Sequence, residues 1–127
     1  MNPMVRLLVG IALLGGMSGG VCADEKAAAN AELTRLRSDI HALIGPAICA
    51  NLVNCRIAAL GVDACGGPKE HLVYSWRSTD KAALEIKIAE YNLAQEDMQR
   101  KDKGACAALP EPVAACVNGR CVLQRAK

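Results

Sequence analysis

The chain contains no phenylalanine, one tryptophan and two tyrosines among 127 residues. A core so poor in large rings has to be assembled mainly from Leu, Ile, Val and Ala, which bury less apolar area per residue than aromatics do. Only two histidines are present, His41 and His71, so histidine-based catalysis has few places to start. No Cys-x-x-Cys pair occurs, which removes the usual spacing of dithiol redox sites and zinc ribbons. There is no Lys/Arg block, and the formal net charge is only +2. Nucleic acid and anionic membrane are therefore poor partners. No apolar stretch reaches the roughly 20 residues that a membrane-spanning helix needs.

What is present begins with an export signal. Arg6 is the only charged side chain before Asp24. An apolar run of eight, LLVGIALL over residues 7–14, follows it, and a Gly/Ser-rich stretch leads to Val21-Cys22-Ala23. Basic, apolar and small residues in that order are the mark of a cleavable secretory signal. The expected signal peptide is residues 1–23, with the cut at Ala23/Asp24. A lipid anchor on Cys22 is the alternative, but Val21 is bulkier than the residue that such processing takes before the cysteine. The mature domain is then residues 24–127, with 14 basic and 13 acidic side chains. It is periplasmic or secreted.

Removal of Cys22 leaves Cys49, Cys55, Cys65, Cys106, Cys116 and Cys121. An even set in a small exported domain reads as a disulfide framework. Three cross-links, each stabilising by about 2–4 kcal/mol, would offset the aromatic-poor core. The expected pairing is Cys49–Cys65, Cys55–Cys121 and Cys106–Cys116, one of 15 that six cysteines allow.

Residues 24–44 read as an Ala-rich helix with an apolar stripe of Leu33, Leu36, Ile40, Leu43 and Ile44, stopped by Gly45-Pro46. Residues 55–60 fit a short strand that Gly61 ends. A turn-rich knot, Asp63-Ala64-Cys65-Gly66-Gly67-Pro68, follows. A second strand, residues 71–76, places Leu72, Tyr74 and Trp76 on one face by alternation. Ser78, Thr79 and Asp80 are competent N-caps for a helix running to about Lys101. That helix carries two apolar stripes, one of Leu84, Ile88, Tyr91 and Met98, the other of Ala82, Ile86, Ala89 and Leu93. The first is expected to pack on the sheet and the second to receive the first helix, with a homodimer seam as the alternative. After a stiff Leu109-Pro110-Glu111-Pro112 connector, Asn118-Gly119 between apolar runs signals a two-residue hairpin. Cys116 and Cys121 then face each other, and each is expected to bond to another element. The fold class is α+β, in the order α-β-β-α-β-β, with a small antiparallel sheet of about four strands and two helices on one face.

Few residues could carry chemistry. His71 and Ser75 lie on one strand without a nucleophile-elbow motif, so a hydrolase built on them ranks last. Glu85, Glu90, Glu96 and Asp97 spread around a helix rich in Lys and Arg and read as a solvated face. Neither a P-loop nor a compact His/Asp/Glu group is present, so no cofactor and no metal is expected. The binding candidates are Gly66 and Gly67, a turn pinned by Cys65, together with Tyr74 and Trp76, since Tyr and Trp are favoured at binding hot spots.

The run CGGPKEHLVYS, residues 65–75, is followed by a helix and then by a Cys…Pro-x-Pro…Cys-x-Asn-Gly-x-Cys ending. Over roughly residues 45–124 this resembles a group of small secreted bacterial proteins. The resemblance implies an exported domain with structural cysteines and no catalytic residue. The expected function is a non-enzymatic protein-binding module of the cell envelope, inhibitor-like or an accessory factor, whose partner is another envelope or extracellular protein. A small-ligand binder using the Tyr74/Trp76 face is the alternative.

Overall fold

The computed structural model describes residues 15, 21–101, 106 and 109–125. Most of the expected signal segment, and residues 102–105 after the second helix, lie outside the described residues. The element order is α1 (Val21–Ile44), a 3-10 turn (Leu52–Asn54), β1 (Cys55–Leu60), β2 (Glu70–Ser75), α2 (Lys81–Lys101), β3 (Pro112–Val117) and β4 (Arg120–Arg125). This is the expected α-β-β-α-β-β order. No helix among the described residues is long and apolar enough to cross a membrane.

The apolar stripe read from the sequence is the buried face of α1. Leu36, Ile40 and Ile44 are buried, with Leu33 and Leu43 packed beside them. Gly45 ends the helix in the left-handed region, with φ of +56°, and its N–H donates to the His41 carbonyl at 2.9 Å. Asp80 opens α2: its carboxylate accepts the Ala83 N–H at 3.1 Å and its carbonyl accepts that of Leu84. The two helices pack against each other, and Leu84 and Tyr91 of α2 are buried. The second α2 stripe does not receive α1, contrary to expectation. Ala82 and Ala89 are exposed, as are Ile86 (61%) and Leu93 (67%). One face of α2 is wide enough to meet both α1 and β1, so the other face stays in solvent.

The four strands divide into two antiparallel hairpins, β1–β2 and β3–β4, rather than one sheet. The first pairs Cys55 with Ser75 at its open end and Leu60 with Glu70 at its loop end. The second turns on Asn118 and Gly119, with φ of +52° and +79°. Those signs at both loop positions suit a type I′ turn, which matches the strand twist. Residues Ala47 to Cys49 run along β4. Ile48 bridges Arg120, the Cys121 N–H donates to the Ala47 carbonyl, and the Cys49 N–H donates to that of Gly119. β3 lies against β1 and β4 against β2.

Three disulfides tie these parts together: Cys49–Cys116, Cys55–Cys121 and Cys65–Cys106. The Cys55–Cys121 expectation holds. Cys49–Cys65 and Cys106–Cys116 are corrected. Cys49 is delivered to the second hairpin by the Ile48–Arg120 bridge. Cys65 sits in the β1–β2 loop, which lies against the C-terminal part of α2, and Cys106 is five residues beyond the end of that helix.

Candidate functional site

The β1–β2 loop is held by side-chain amides of α2. Gly61, with φ of +76°, leaves the β1 ladder, and its N–H donates to the Asn92 Oδ1 at 2.8 Å. The next N–H, of Val62, donates to the Oε1 of buried Gln95. Asn92 and Gln95 are three residues apart on a helix, so both face the loop. Asp63 then folds the knot over itself: its Oδ1 accepts the N–H groups of Cys65 and Gly67, each at 2.9 Å. This is the Asx-turn chemistry that Asp favours in tight loops. Gly66 is exposed and Gly67 half-buried in that loop.

The structure does not bring the four binding candidates together. Gly66 and Gly67 belong to the loop end of the first hairpin, and Trp76 follows its open end. Six-residue strands separate the two ends by roughly 17 Å. Tyr74 is buried in the core, beside Leu72 and Leu84. Trp76 lies beyond the last ladder residue and is 50% exposed. Tyr74 and Trp76 therefore differ in access to solvent, one in the core and one at the surface. His71 and Ser75 also stay apart: four residues along one strand is about 13 Å. The Ser75 hydroxyl is fully buried and accepts the Arg77 N–H at 3.3 Å.

Trp76 is fixed at the surface by the 3-10 turn. Its backbone N–H donates to the Asn54 carbonyl at 3.1 Å, and its indole N–H to the Val53 carbonyl at 2.9 Å. The same Val53 carbonyl accepts the Arg56 guanidinium at 2.6 Å. The turn itself is braced by two asparagines. Asn51 Oδ1 accepts the Val53 N–H, and the buried Asn54 Oδ1 accepts that of Ala50 at 2.8 Å. Around Trp76 the turn exposes Leu52 (56%) and Val53 (65%). A tryptophan and an arginine thus share one acceptor, beside two exposed aliphatic side chains, on a backbone with few ways to move. Sequence reasoning found Trp76 and missed Leu52, Val53 and Arg56. Residues 49–54 carry no periodic pattern, and the only signal there was the pair of asparagines, Asn51 and Asn54, three apart.

A second concavity, of about 520 Å³, lies between α1, α2 and the β1–β2 loop. Arg37 lines it, with Nη1 donating to Glu70 Oε1 at 2.7 Å and Nη2 to the Tyr91 hydroxyl at 3.2 Å, and with the guanidinium 5.6 Å from the Tyr91 ring centre. The Glu70 carboxylate first, and the Tyr91 hydroxyl second, hold the guanidinium above its ordinary range. These contacts are internal to the protein, and they spend the charge that a ligand would use. No protein-family model, curated protein or solved structure matches the chain.

Proposed function

We propose that this is an exported, non-enzymatic module of the cell envelope, inhibitor-like or an accessory factor, that binds another envelope or extracellular protein through the Trp76 patch. One observation carries the reading: the Val53 carbonyl pins the Trp76 indole and the Arg56 guanidinium side by side at the surface. Tryptophan and arginine are the residues most enriched at binding hot spots, and a pre-ordered side chain loses little entropy when a partner arrives. The partner surface that fits is an apolar pocket edged by a carboxylate, which would accept the ring and pair with Arg56. A small-ligand site at Tyr74 and Trp76 has less support, because Tyr74 is buried and offers a ligand little surface. The resemblance to small secreted bacterial proteins, the signal-like residues 1–23 and the three disulfides support a periplasmic or secreted location.

Site-specific photo-cross-linking tests the reading. A photoreactive residue at position 53 should capture one protein from envelope extract, and the same residue at position 86, on the exposed face of α2, should not. Capture should be lost in Trp76→Ala and in the reduced protein. Equal capture at both positions, or capture that survives Trp76→Ala, overturns the assignment. Export has its own test. The mass of the native protein should begin at Asp24 and carry no lipid; a lipid on Cys22 would replace the soluble product with an anchored one.

A further inference from the structure

Two disulfides lie side by side, and three of their four sulfurs form one cluster. Cys49, Cys55 and Cys121 are buried, and their sulfurs all lie within 4.8 Å of one another. Cys116 is bonded to Cys49 and faces Cys121 directly across the β3–β4 hairpin. The ligands come from three separate stretches: the Ala47–Cys49 run beside β4, the start of β1, and the Asn-Gly hairpin. Backbone hydrogen bonds set their positions, because Cys49 and Cys121 are the residues whose N–H groups join that run to the hairpin. The Cα separations across the two bonds are 6.0 and 5.6 Å.

We propose that reduction turns this cluster into a closed tetrathiolate site for zinc(II), made by Cys49, Cys55, Cys116 and Cys121. A tetrahedral zinc with Zn–S bonds of about 2.3 Å keeps its sulfurs about 3.8 Å apart. The sulfurs of Cys49, Cys55 and Cys121 already lie within 4.8 Å of one another, and Cys116, bonded to Cys49 and paired with Cys121 across the hairpin, has to bring its sulfur in from the same side once its bond is reduced. Four soft thiolates in a closed shell, with no carboxylate or imidazole among them, select a tetrahedral thiophilic ion over magnesium or calcium. The spacing rules that find zinc ribbons miss the group, because no two of its cysteines are three apart.

The chemistry balances with a dithiol as reductant. Each disulfide takes up two electrons and two protons, and each dithiol that supplies them becomes a disulfide. Zinc then displaces up to four thiol protons, so binding weakens as pH falls. The metal ties together the same two stretches of chain that the disulfides tie, residues 49–55 and 116–121. The third disulfide, Cys65–Cys106, lies outside the cluster and serves as the internal control.

The test uses the full chain, reduced and kept anaerobic, titrated with cobalt(II) as a spectroscopic stand-in and then with zinc(II). One cobalt per chain should bind, with strong near-ultraviolet thiolate-to-cobalt absorption and the visible bands of a tetrahedral ion, and zinc should bleach both. Circular dichroism should show order gained in step with binding. Cys55→Ser and Cys121→Ser should each weaken binding by about ten-fold or more, in line with the loss of one thiolate of four. The Cys65→Ser/Cys106→Ser pair should leave stoichiometry and spectra unchanged. Under reduction no variant lacks a cross-link that the parent keeps, so a difference reports on the ligand and not on a lost disulfide. Absence of the charge-transfer band, binding indifferent to Cys55→Ser and Cys121→Ser, or binding abolished by the Cys65/Cys106 pair would each overturn the proposal.

Discussion

Cys49–Cys116 and Cys55–Cys121 join the same two stretches of chain, and this dictates a specific failure of additivity. Considered alone, each bond closes a loop with a sequence separation of 67 or 66 residues. Loop-closure entropy assigns a bond of that span about 4.4 kcal/mol. With one bond in place, however, the other closes only the small ring made by residues 49–55 and 116–121. That ring holds about 13 residues, for which the same relation gives about 2.9 kcal/mol. Replacing one pair with alanine, Cys49→Ala with Cys116→Ala or Cys55→Ala with Cys121→Ala, should therefore cost about 3 kcal/mol. With Cys65–Cys106 intact, the first of the two bonds closes a ring of only about 28 residues, worth about 3.6 kcal/mol, so replacing both pairs should cost about 6.5 kcal/mol, more than the two single costs together. Urea unfolding followed by circular dichroism measures all three, with an osmolyte present so that the doubly replaced protein still folds. If each single pair costs 4 kcal/mol or more, or if the combined loss does not exceed the sum, the shared-ring reasoning is wrong.

Four further predictions rest on single residues. Gln95→Leu leaves the Val62 N–H without its acceptor and should destabilise the domain by about 1–3 kcal/mol, seen as a lower Tm in a thermal melt. Gly61→Ala should cost about 1–3 kcal/mol, because its φ is +76° and a new Cβ would stand 3.0 Å from the Lys69 Cβ. Gly66→Ala has a similar φ in open space, and in the same melts it should cost less, so equal losses would refute the contact. Leu93→Glu on the exposed face of α2 should change stability by less than about 0.5 kcal/mol; a larger loss, with a halved mass in sedimentation, would place a second copy of the chain there. Arg35, donating to Glu32 at 2.6 and 3.0 Å, holds that carboxyl below its ordinary range. A depressed carboxyl adds stability above the unfolded-state pKa and loses it as pH falls through the folded one, so an NMR titration should show Glu32 rising in Arg35→Ala.

Local chemistry was legible wherever one residue decides the backbone. Gly45 ended α1, Asp80 capped α2, and Asn118-Gly119 formed the second hairpin, because each of these acts within four residues of itself. The limits of β1 were readable for the same reason, with Gly61 at its end. What required two distant segments was not readable. Cys49 finds Cys116 because Ile48 bridges Arg120, and no pattern along the chain announces that pairing. Strand alternation grouped Trp76 with Tyr74, but Tyr74 is buried while Trp76, one residue past the ladder and held by the Val53 and Asn54 carbonyls, is half exposed. The second stripe of α2 has helical spacing and stays exposed, since periodicity states that a face is apolar and not that anything covers it. The candidate patch was therefore legible only through its tryptophan. Its arginine and its aliphatic floor come from a segment whose order depends on two asparagine side chains.

The pairing pattern bears on how such a chain acquires its bonds. Every disulfide joins a cysteine before α2 to one after it: Cys49, Cys55 and Cys65 to Cys116, Cys121 and Cys106. In a chain threaded through a membrane N-terminus first, the three early thiols emerge while all their partners are still on the far side. An oxidant acting in order of emergence would join Cys49 to Cys55, which the finished fold does not contain. The bonds of Cys49 and Cys55 can form only after α2 has passed and the last hairpin has closed, so that hairpin acts as the key that locks the two bonds beside it. A truncation that removes Cys116 and Cys121 would strand two of the first three cysteines at once, and a shuffling isomerase becomes a requirement of maturation wherever oxidation outruns translocation.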